Sequence, residues 1–218
     1  MIRLAAVLLL MIPAFGVAQQ SFSAKVGGTT APDGREIQID LPGSLHRHNV
    51  SSRGSGCCVF TSIGCHSAVW QNVPQLWEFP KWLQAKALSG GGYPGNVTAR
   101  IKAICKERGV PEPAYLQIQD GDVEILKAAC KAGRMPAVTY SFSPSGRYGG
   151  GRISHMVSLV HADDQFFGVL DNNYVDGPNH IEWLTPDEFR RTYTGGGKAG
   201  WSVILLQHGP PPAPRNQK

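Results

Sequence analysis

Apolar residues recur at helical spacing in the first half of the chain. After the Gly-Ser-Gly segment at 54–56, apolar positions three and four residues apart predict a helix that begins at Cys57-Cys58 and ends near Trp70. A second helix is predicted over residues 75–88, with Pro80 as an irregularity. Before these helices, residues 19–44 are polar and rich in Gly and Pro, which predicts an extended lead-in with one strand near residues 36–41.

Two further helices are predicted before the pattern changes. The third has Asn96 as its N-cap and Gly109 just past its end. The fourth follows the Asp-Gly-Asp segment at 120–122 and closes at Gly133, with Cys130 on its buried side.

From Pro136 onward the apolar pattern is that of strands. One short helix interrupts it, opened by a capping box that pairs Thr185 with Glu188. A helical half followed by a β half predicts the α+β class, as one domain over residues 45–208 with a disordered Pro-rich tail at 209–218. The predicted strands are residues 137–142, 153–161, 166–170, 180–184 and 201–206.

Composition narrows the function classes. The chain has 218 residues, 42% hydrophobic and 17% charged, which is typical of a compact globular protein. Its formal net charge is +5, but the basic residues are scattered singly. A stripe of basic residues that could follow phosphates is therefore missing, and we expect no nucleic-acid partner. We expect a monomer.

The amino end predicts export. A short basic start is followed by a 15-residue apolar stretch, residues 4–18, which ends in small residues suited to cleavage after Ala18. We therefore expect residues 1–18 to be a signal peptide, and the mature protein to be secreted or periplasmic without stable membrane insertion. An uncleaved anchor is the alternative, although the stretch is short for a span and contains Pro13.

Five cysteines in an exported chain leave at least one thiol unpaired. They are Cys57, Cys58, Cys65, Cys105 and Cys130. The spare thiol is either simply buried or kept free for chemistry. With His66 the cysteines could suggest zinc, but no C-x-x-C pair exists, so we expect no metal and no cofactor.

A histidine and a carboxylate in the β half predict an acid-base pair. If residues 153–161 and 165–171 form a hairpin with a loop at 162–164, then His155 and Asp171 lie directly opposite each other. Opposed side chains on one face are close enough for a carboxylate to orient an imidazole. The alternative is that both residues are structural: His155 would be a buried core residue, and Asp171 would be a turn residue. Asn172 is the second candidate, the reserve, for the orienting role.

The best nucleophile for that base is a thiol at the start of the helix near residue 58. A helix N-terminus stabilises thiolate over thiol, and the first-turn N–H groups are free to donate to an oxyanion. Both Cys57 and Cys58 stand at this point.

The order of these residues resembles the papain-like cysteine peptidases, and most closely their bacteriocin-processing-like (double-glycine peptidase-like) bacterial branch. The resemblance covers residues 45–207 and rests on the order and spacing of five segments. They are Cys58-Val59-Phe60-Thr61-Ser62-Ile63, Gly133-Arg134-Met135-Pro136-Ala137-Val138, His155-Met156-Val157-Ser158-Leu159-Val160, Val169-Leu170-Asp171 and Trp183-Leu184-Thr185-Pro186-Asp187-Glu188-Phe189.

The resemblance implies a papain-like fold and a catalytic triad of Cys58, His155 and Asp171. It also implies a secreted hydrolase, most simply a peptidase acting on a peptide or protein through an acyl-enzyme. The alternatives are a catalytically degenerate binding protein, and a transglutaminase or cell-wall peptide amidase with the same triad.

The chain departs from the family at the oxyanion hole. The family has a Gln about six residues before the nucleophile, and this chain has Ser52 there. Asn49, Ser51, Ser52 or Arg53 could replace it, and spacing does not choose among them.

Overall fold

The computed structural model describes residues 29–176 and 180–207. The predicted signal peptide, the start of the lead-in and the Pro-rich tail lie outside the described residues. The fold is α+β, with helices packed on a six-stranded antiparallel sheet. The helices are α1 (Cys58–Thr61), α2 (Ala68–Trp70), α3 (Phe79–Ala85), α4 (Pro94–Arg108), α5 (Glu124–Lys131) and α6 (Pro186–Thr194). The strands are β1 (Ser51–Ser52), β2 (Ser55–Gly56), β3 (Tyr115–Asp120), β4 (Ala137–Tyr140), β5 (His155–Ala162), β6 (Phe167–Leu170), β7 (Ile181–Leu184) and β8 (Gly200–Leu205).

The large sheet has the strand order β3-β8-β4-β5-β6-β7 and carries a hydrophobic cluster on each face. Met156 packs in the cluster with α1, α3 and α4, whereas the next residue, Val157, packs in the cluster with α5 and α6. Successive strand residues face opposite sides of a sheet, so the two helical layers lie on opposite faces. β5 runs between them and is buried along its whole length.

The predicted helix from Cys58 to Trp70 is confirmed, with a change of geometry in its middle. A π-helical segment, Ser62–Ser67, joins α1 to α2. Gly64 lies in this segment, where an added Cβ would come within 2.5 Å of the Phe79 Cβ. The missing side chain therefore lets this helix pack directly against the start of α3.

Two of the other predicted helices differ at their starts. The prediction that Asn96 caps the third helix is wrong: Tyr93 is the N-cap of α4, and Pro94 is its first residue. Proline suits the first helical position because its fixed φ is helical, and because an N–H at that position would have no partner within the helix. The second predicted helix is also shorter, since a 3-10 turn, Pro74–Leu76, precedes α3. Gly109 ends α4 in the left-handed region, as predicted.

Strand prediction succeeded in the second half of the chain and failed at two places before it. The five predicted strands correspond to β4–β8 within a few residues at each end. The strand predicted near residues 36–41 is absent from the described structure, where a single bridge joins Thr30 and Glu36 and Ile39 donates one hydrogen bond to Val160. β3 was missed entirely. It lies at the edge of the sheet beside β8, and none of its residues is fully buried.

The capping box of α6 is confirmed. Glu188 N donates to Thr185 Oγ1, and Thr185 N donates to Glu188 Oε2 at 2.8 Å. No helix within residues 29–176 and 180–207 is both long and apolar enough to span a membrane.

Candidate active site

The hairpin of β5 and β6 has a different register from the predicted one. Leu159 lies opposite Val169, so the register continued to His155 would bring residue 173 opposite it rather than Asp171. A bulge between Leu159 and His161 and a longer turn at residues 163–166 cause the difference. The shift is two residues, and an even shift keeps side chains on the same face. Asp171 therefore reaches His155 diagonally.

His155 is hydrogen-bonded to this carboxylate. Its Nε2 lies 2.8 Å from Asp171 Oδ1, and the histidine is almost fully buried. Burial alone would lower the pKa of His155, but the hydrogen bonds to Asp171 and Cys58, with the charges of both groups, outweigh it and raise the pKa to about 9. The imidazole is therefore held in its charged form near neutral pH.

Asp171 is fully buried and kept ionised by several donors. Burial would raise the pKa of this carboxyl, but His155, the backbone N–H of Asn173 and the hydroxyl of Tyr148 together hold it below its usual value. The Tyr148 hydroxyl donates to Oδ2 at 2.7 Å, and Asn173 N donates to Oδ1 at 2.9 Å. Each oxygen of the carboxylate thus has its own partners.

Cys58 is the first residue of α1 and faces the imidazole. Burial opposes its ionisation, but the hydrogen bond to His155, the charge of His155 and backbone N–H groups of Met156 and Val59 lower its pKa. Because Nε2 of His155 is bound to Asp171, Nδ1 is the nitrogen that faces the sulfur. In the structure, Cys58 contacts His155, and His155 in turn contacts Asp171.

Cys57 has the opposite environment. It is fully buried, and burial raises the pKa of its thiol to about 11. Its sulfur packs against Gly90, where an added Cβ would lie 2.6 Å from Sγ. Burial likewise raises the pKa of Cys65, to about 12, and of Cys105 and Cys130. Cys58 is the partly exposed cysteine of the five, and all five are free thiols.

Asn172, the reserve for the orienting role, makes other contacts. Its Nδ2 lies 3.1 Å from the carbonyl oxygen of Cys58, 2.9 Å from the Met156 carbonyl oxygen and 2.9 Å from Ser62 Oγ. This buried amide therefore joins the start of α1 to β5, and so fixes the sulfur relative to the imidazole.

Of the four oxyanion candidates, Asn49 lines the cleft in front of Cys58. The other three, Ser51, Ser52 and Arg53, belong to the β1–β2 hairpin, and Ser52 Oγ is committed to the Leu88 carbonyl oxygen at 2.6 Å. Asn49 Nδ2 lies 3.2 Å from the position that a Cβ on Gly56 would occupy. Glycine at 56 thus makes room for the carboxamide of Asn49.

The cleft has a volume of about 540 Å³ and contains Cys58 and His155 in its wall. Bare backbone forms another part of the wall, because residues 91 and 92 are both glycine. An added Cβ on Gly92 would lie 2.6 Å from a methyl group of Val59, so this segment packs directly on α1. Apolar or aromatic walls are supplied by Val59, Tyr93, Ile153, Met156 and Trp201.

His66, considered above as a zinc ligand, is fully buried, and both of its ring nitrogens are hydrogen-bonded to other groups. Its Nε2 accepts from Arg47 N at 3.0 Å, and its Nδ1 lies 3.0 Å from Ser158 Oγ. Burial, with the neighbouring charges, lowers the pKa of His66 to about 3, so the ring is neutral. Within the described ranges, no group of three or more His, Cys, Asp or Glu side chains is arranged to hold a metal ion.

Sequence reasoning missed Tyr148. It directly precedes the three glycines at 149–151. Its ring also packs edge-on to His155, with centroids 5.8 Å apart. The signal that could have indicated Tyr148 is its position: it stands seven residues before the candidate base, His155, in the connection that leads into β5.

Comparisons with known proteins add little to this geometry. No family model and no curated protein matches the chain. Among solved structures, a "putative C39-like peptidase" from Bacillus anthracis is similar, with 14% sequence identity and a TM-score of 0.34. The match covers 50% of this chain and 58% of that one, which is less than two thirds of its length.

Proposed function

We propose that this protein is a papain-like cysteine hydrolase, and that it cleaves peptides. The observation that carries the proposal is the contact of Cys58 with His155, and of His155 with Asp171, in the wall of an open cleft. A nucleophile, a base and an orienting group in contact define covalent catalysis of acyl transfer.

In the resting state the proposed pair is a Cys58 thiolate and a His155 imidazolium. The helix N-terminus and the imidazolium both stabilise the negative sulfur. The thiolate attacks the carbonyl carbon of a substrate amide, and the carbonyl π electrons move to its oxygen. Asp171 keeps the imidazolium in the orientation that points Nδ1 at the reacting atoms.

Two donors are proposed for the oxyanion that forms. One is the backbone N–H of Cys58, since first-turn N–H groups have no partner within their helix. The other is Nδ2 of the Asn49 carboxamide, because Asn49 lines the same cleft as Cys58.

The intermediate then breaks down to an acyl-enzyme. The C–N bond breaks, the leaving amine takes the proton of His155, and a thioester on Cys58 remains. His155, now neutral, accepts a proton from water as that water attacks the thioester carbonyl. Collapse of the second intermediate releases the carboxylic acid and restores the thiolate and the imidazolium.

We further propose that the enzyme acts outside the cytoplasm on peptide or protein substrates. The support is the sequence of residues 1–18, which has the charged start, apolar middle and small-residue end of a secretory signal. Immunoblotting of the cell fractions, together with amino-terminal sequencing of the mature protein, tests this location.

The proposed activity is tested with a mixed peptide library under reducing conditions. Wild-type protein, Cys58→Ala and Cys57→Ser are incubated with the library, and new termini are identified by mass spectrometry. We expect cleavage by the wild type and by Cys57→Ser, and none by Cys58→Ala. Peptide binding without cleavage by the wild type would overturn the proposal in favour of a degenerate binding protein.

A second form of the same experiment shows whether water or an amine accepts the acyl group from Cys58. Adding a primary amine allows the acyl group to be captured by nitrogen instead of water. Mainly hydrolysed products support a hydrolase, whereas mainly amide products would assign the triad to a transglutaminase.

A further inference from the structure

We propose that Tyr148 is a positioning residue, which holds the Asp171 carboxylate in the geometry that lets it orient His155. This inference rests on the proposed function. It assigns a role to a side chain outside the Cys58, His155 and Asp171 set.

The first support is the hydrogen bond of the Tyr148 hydroxyl. It donates to Asp171 Oδ2 at 2.7 Å, while His155 Nε2 occupies Oδ1. The same hydroxyl accepts from Asn173 Nδ2 at 3.0 Å, which leaves its single proton for the carboxylate. Because each oxygen has a fixed partner, Asp171 cannot rotate about its terminal bond without losing one of them.

The second support is the placement of the ring. The Tyr148 ring lies edge-on to the imidazole of His155 and to the ring of Tyr174, with centroid separations of 5.8 Å and 5.4 Å. Tyr148 also lines the cleft. The ring thus stands between the cleft and the buried carboxylate and keeps water away from it. Because the local dielectric constant is then low, the hydrogen bond between Asp171 and His155 is stronger.

The third support is the way the β4–β5 connection is anchored. The buried Glu182 on β7 accepts from Ser143 Oγ at 2.6 Å and from Ser145 N at 3.2 Å. At the base of the loop, Ile153 N donates to Ser141 O at 2.7 Å. The loop that carries Tyr148 is therefore closed at its base and attached through Glu182 to β7.

Glycines shape the turn on both sides of Tyr148. Gly146, Gly149 and Gly150 have φ values of 77°, 64° and 72°, a region that side-chain-bearing residues rarely adopt. Close by, the Tyr174 hydroxyl donates to the Arg147 carbonyl oxygen at 2.5 Å, and the Arg147 guanidinium lies over the Tyr174 ring. The glycines therefore direct the turn that carries Tyr148 toward Asp171, whereas the Tyr174 hydroxyl contacts the carbonyl oxygen of Arg147.

The test is the pH dependence of Cys58 alkylation by iodoacetamide in Tyr148→Phe. Phenylalanine keeps the ring and removes the donor, so the Asp171 pKa rises and the carboxylate loses its charge at a higher pH. The groups that face this carboxylate are His155, Tyr148 and the Asn173 backbone, with Cys58 beyond His155. We expect the acid limb of the alkylation profile to move to higher pH and the rate there to fall about tenfold.

Tyr174→Phe is the matched control, because it removes a tyrosine hydroxyl from the same loop contact without touching Asp171. We expect its profile to follow the wild type. In the Asp171→Asn background, Tyr148→Phe should add little. A Tyr148→Phe profile that superimposes on the wild type, or an equal shift in Tyr174→Phe, would overturn the inference.

The same data separate this inference from the proposed function. Alkylation needs no substrate, so it reports the thiolate alone. Should wild-type Cys58 react no faster than the other thiols, the proposed function fails; should it react rapidly in the wild type and identically in Tyr148→Phe, this inference alone fails.

Discussion

Asp171 and His155 are joined by a hydrogen bond of 2.8 Å that runs diagonally across the ladder between β5 and β6. The carboxylate is fully buried, and the imidazole is nearly so. A buried pair of this kind is stable only while both groups keep their partners. The pair therefore controls the protonation of His155, and through it the charge of Cys58.

Asp171→Asn should lower the activity and change its pH range. The amide keeps the size of the side chain but removes the charge, so the His155 pKa falls from about 9 and the basic limb of kcat/KM moves to lower pH. We expect a loss on the order of 100- to 10,000-fold in kcat. Asp176→Asn is the control, since Asp176 is exposed and contacts His48 rather than the triad. An unshifted basic limb in Asp171→Asn would argue against the orienting role.

Asn49→Ala should slow catalysis without altering the thiolate. Removing one oxyanion donor costs roughly 100- to 1,000-fold in kcat, with little change in KM. Alkylation of Cys58 passes through no oxyanion, so its rate should stay at the wild-type value. Ser51→Ala, a change at an exposed position outside the cleft lining, is the control. Equal activity of Asn49→Ala and Ser51→Ala would remove Asn49 from the oxyanion hole.

The sequence predicted the parts of the site that depend on local pattern. The helix that starts at Cys58 follows from apolar spacing, and the strand of His155 follows from a run of β-forming residues. The proximity of His155 and Asp171 was also predicted, although the assumed register was wrong. It survived because the bulge at Val160 and the longer turn together shift the pairing by an even number of residues.

Features that depend on tertiary contacts could not be predicted. β3 pairs at the sheet edge with a strand 80 or more residues later in the chain, and none of its residues is fully buried. Tyr148 reaches Asp171 because Glu182 holds the intervening loop, a relation that no spacing rule contains. The choice of Asn49 over Ser52 likewise depends on which side chain lines the cleft.

Asn172→Ala should destabilise the fold near the site. The substitution leaves buried acceptors at Cys58 O and Met156 O without this donor, which costs about 1–3 kcal/mol in the free energy of unfolding. Asn173→Ala changes an exposed neighbour and should cost no more than about 0.5 kcal/mol. Urea denaturation of the three proteins measures the difference. Equal midpoints for the two variants would contradict the proposed link between α1 and β5.

His66 should make the fold sensitive to acid. Its pKa is about 3 in the folded protein and 6.5 in the unfolded chain, so below pH 6.5 the unfolded state binds a proton that the folded state does not. The free energy of unfolding then falls as the pH falls, by at most about 1.4 kcal/mol per pH unit from this group. His66→Gln should flatten this dependence between pH 6.5 and 3. Urea denaturation at a series of pH values tests it, and parallel curves for His66→Gln and the wild type would contradict it.

Competitive alkylation shows whether Cys58 is a thiolate paired with the His155 imidazolium. The folded protein is treated with limiting iodoacetamide near neutral and at mildly acidic pH, and the modified cysteines are identified by peptide mapping. We expect Cys58 to be labelled first at both pH values and Cys57 to remain unlabelled. His155→Ala should remove the preference for Cys58 at the acidic pH. Labelling that begins at Cys57, or a Cys58 rate that is unchanged in His155→Ala, would contradict this pairing.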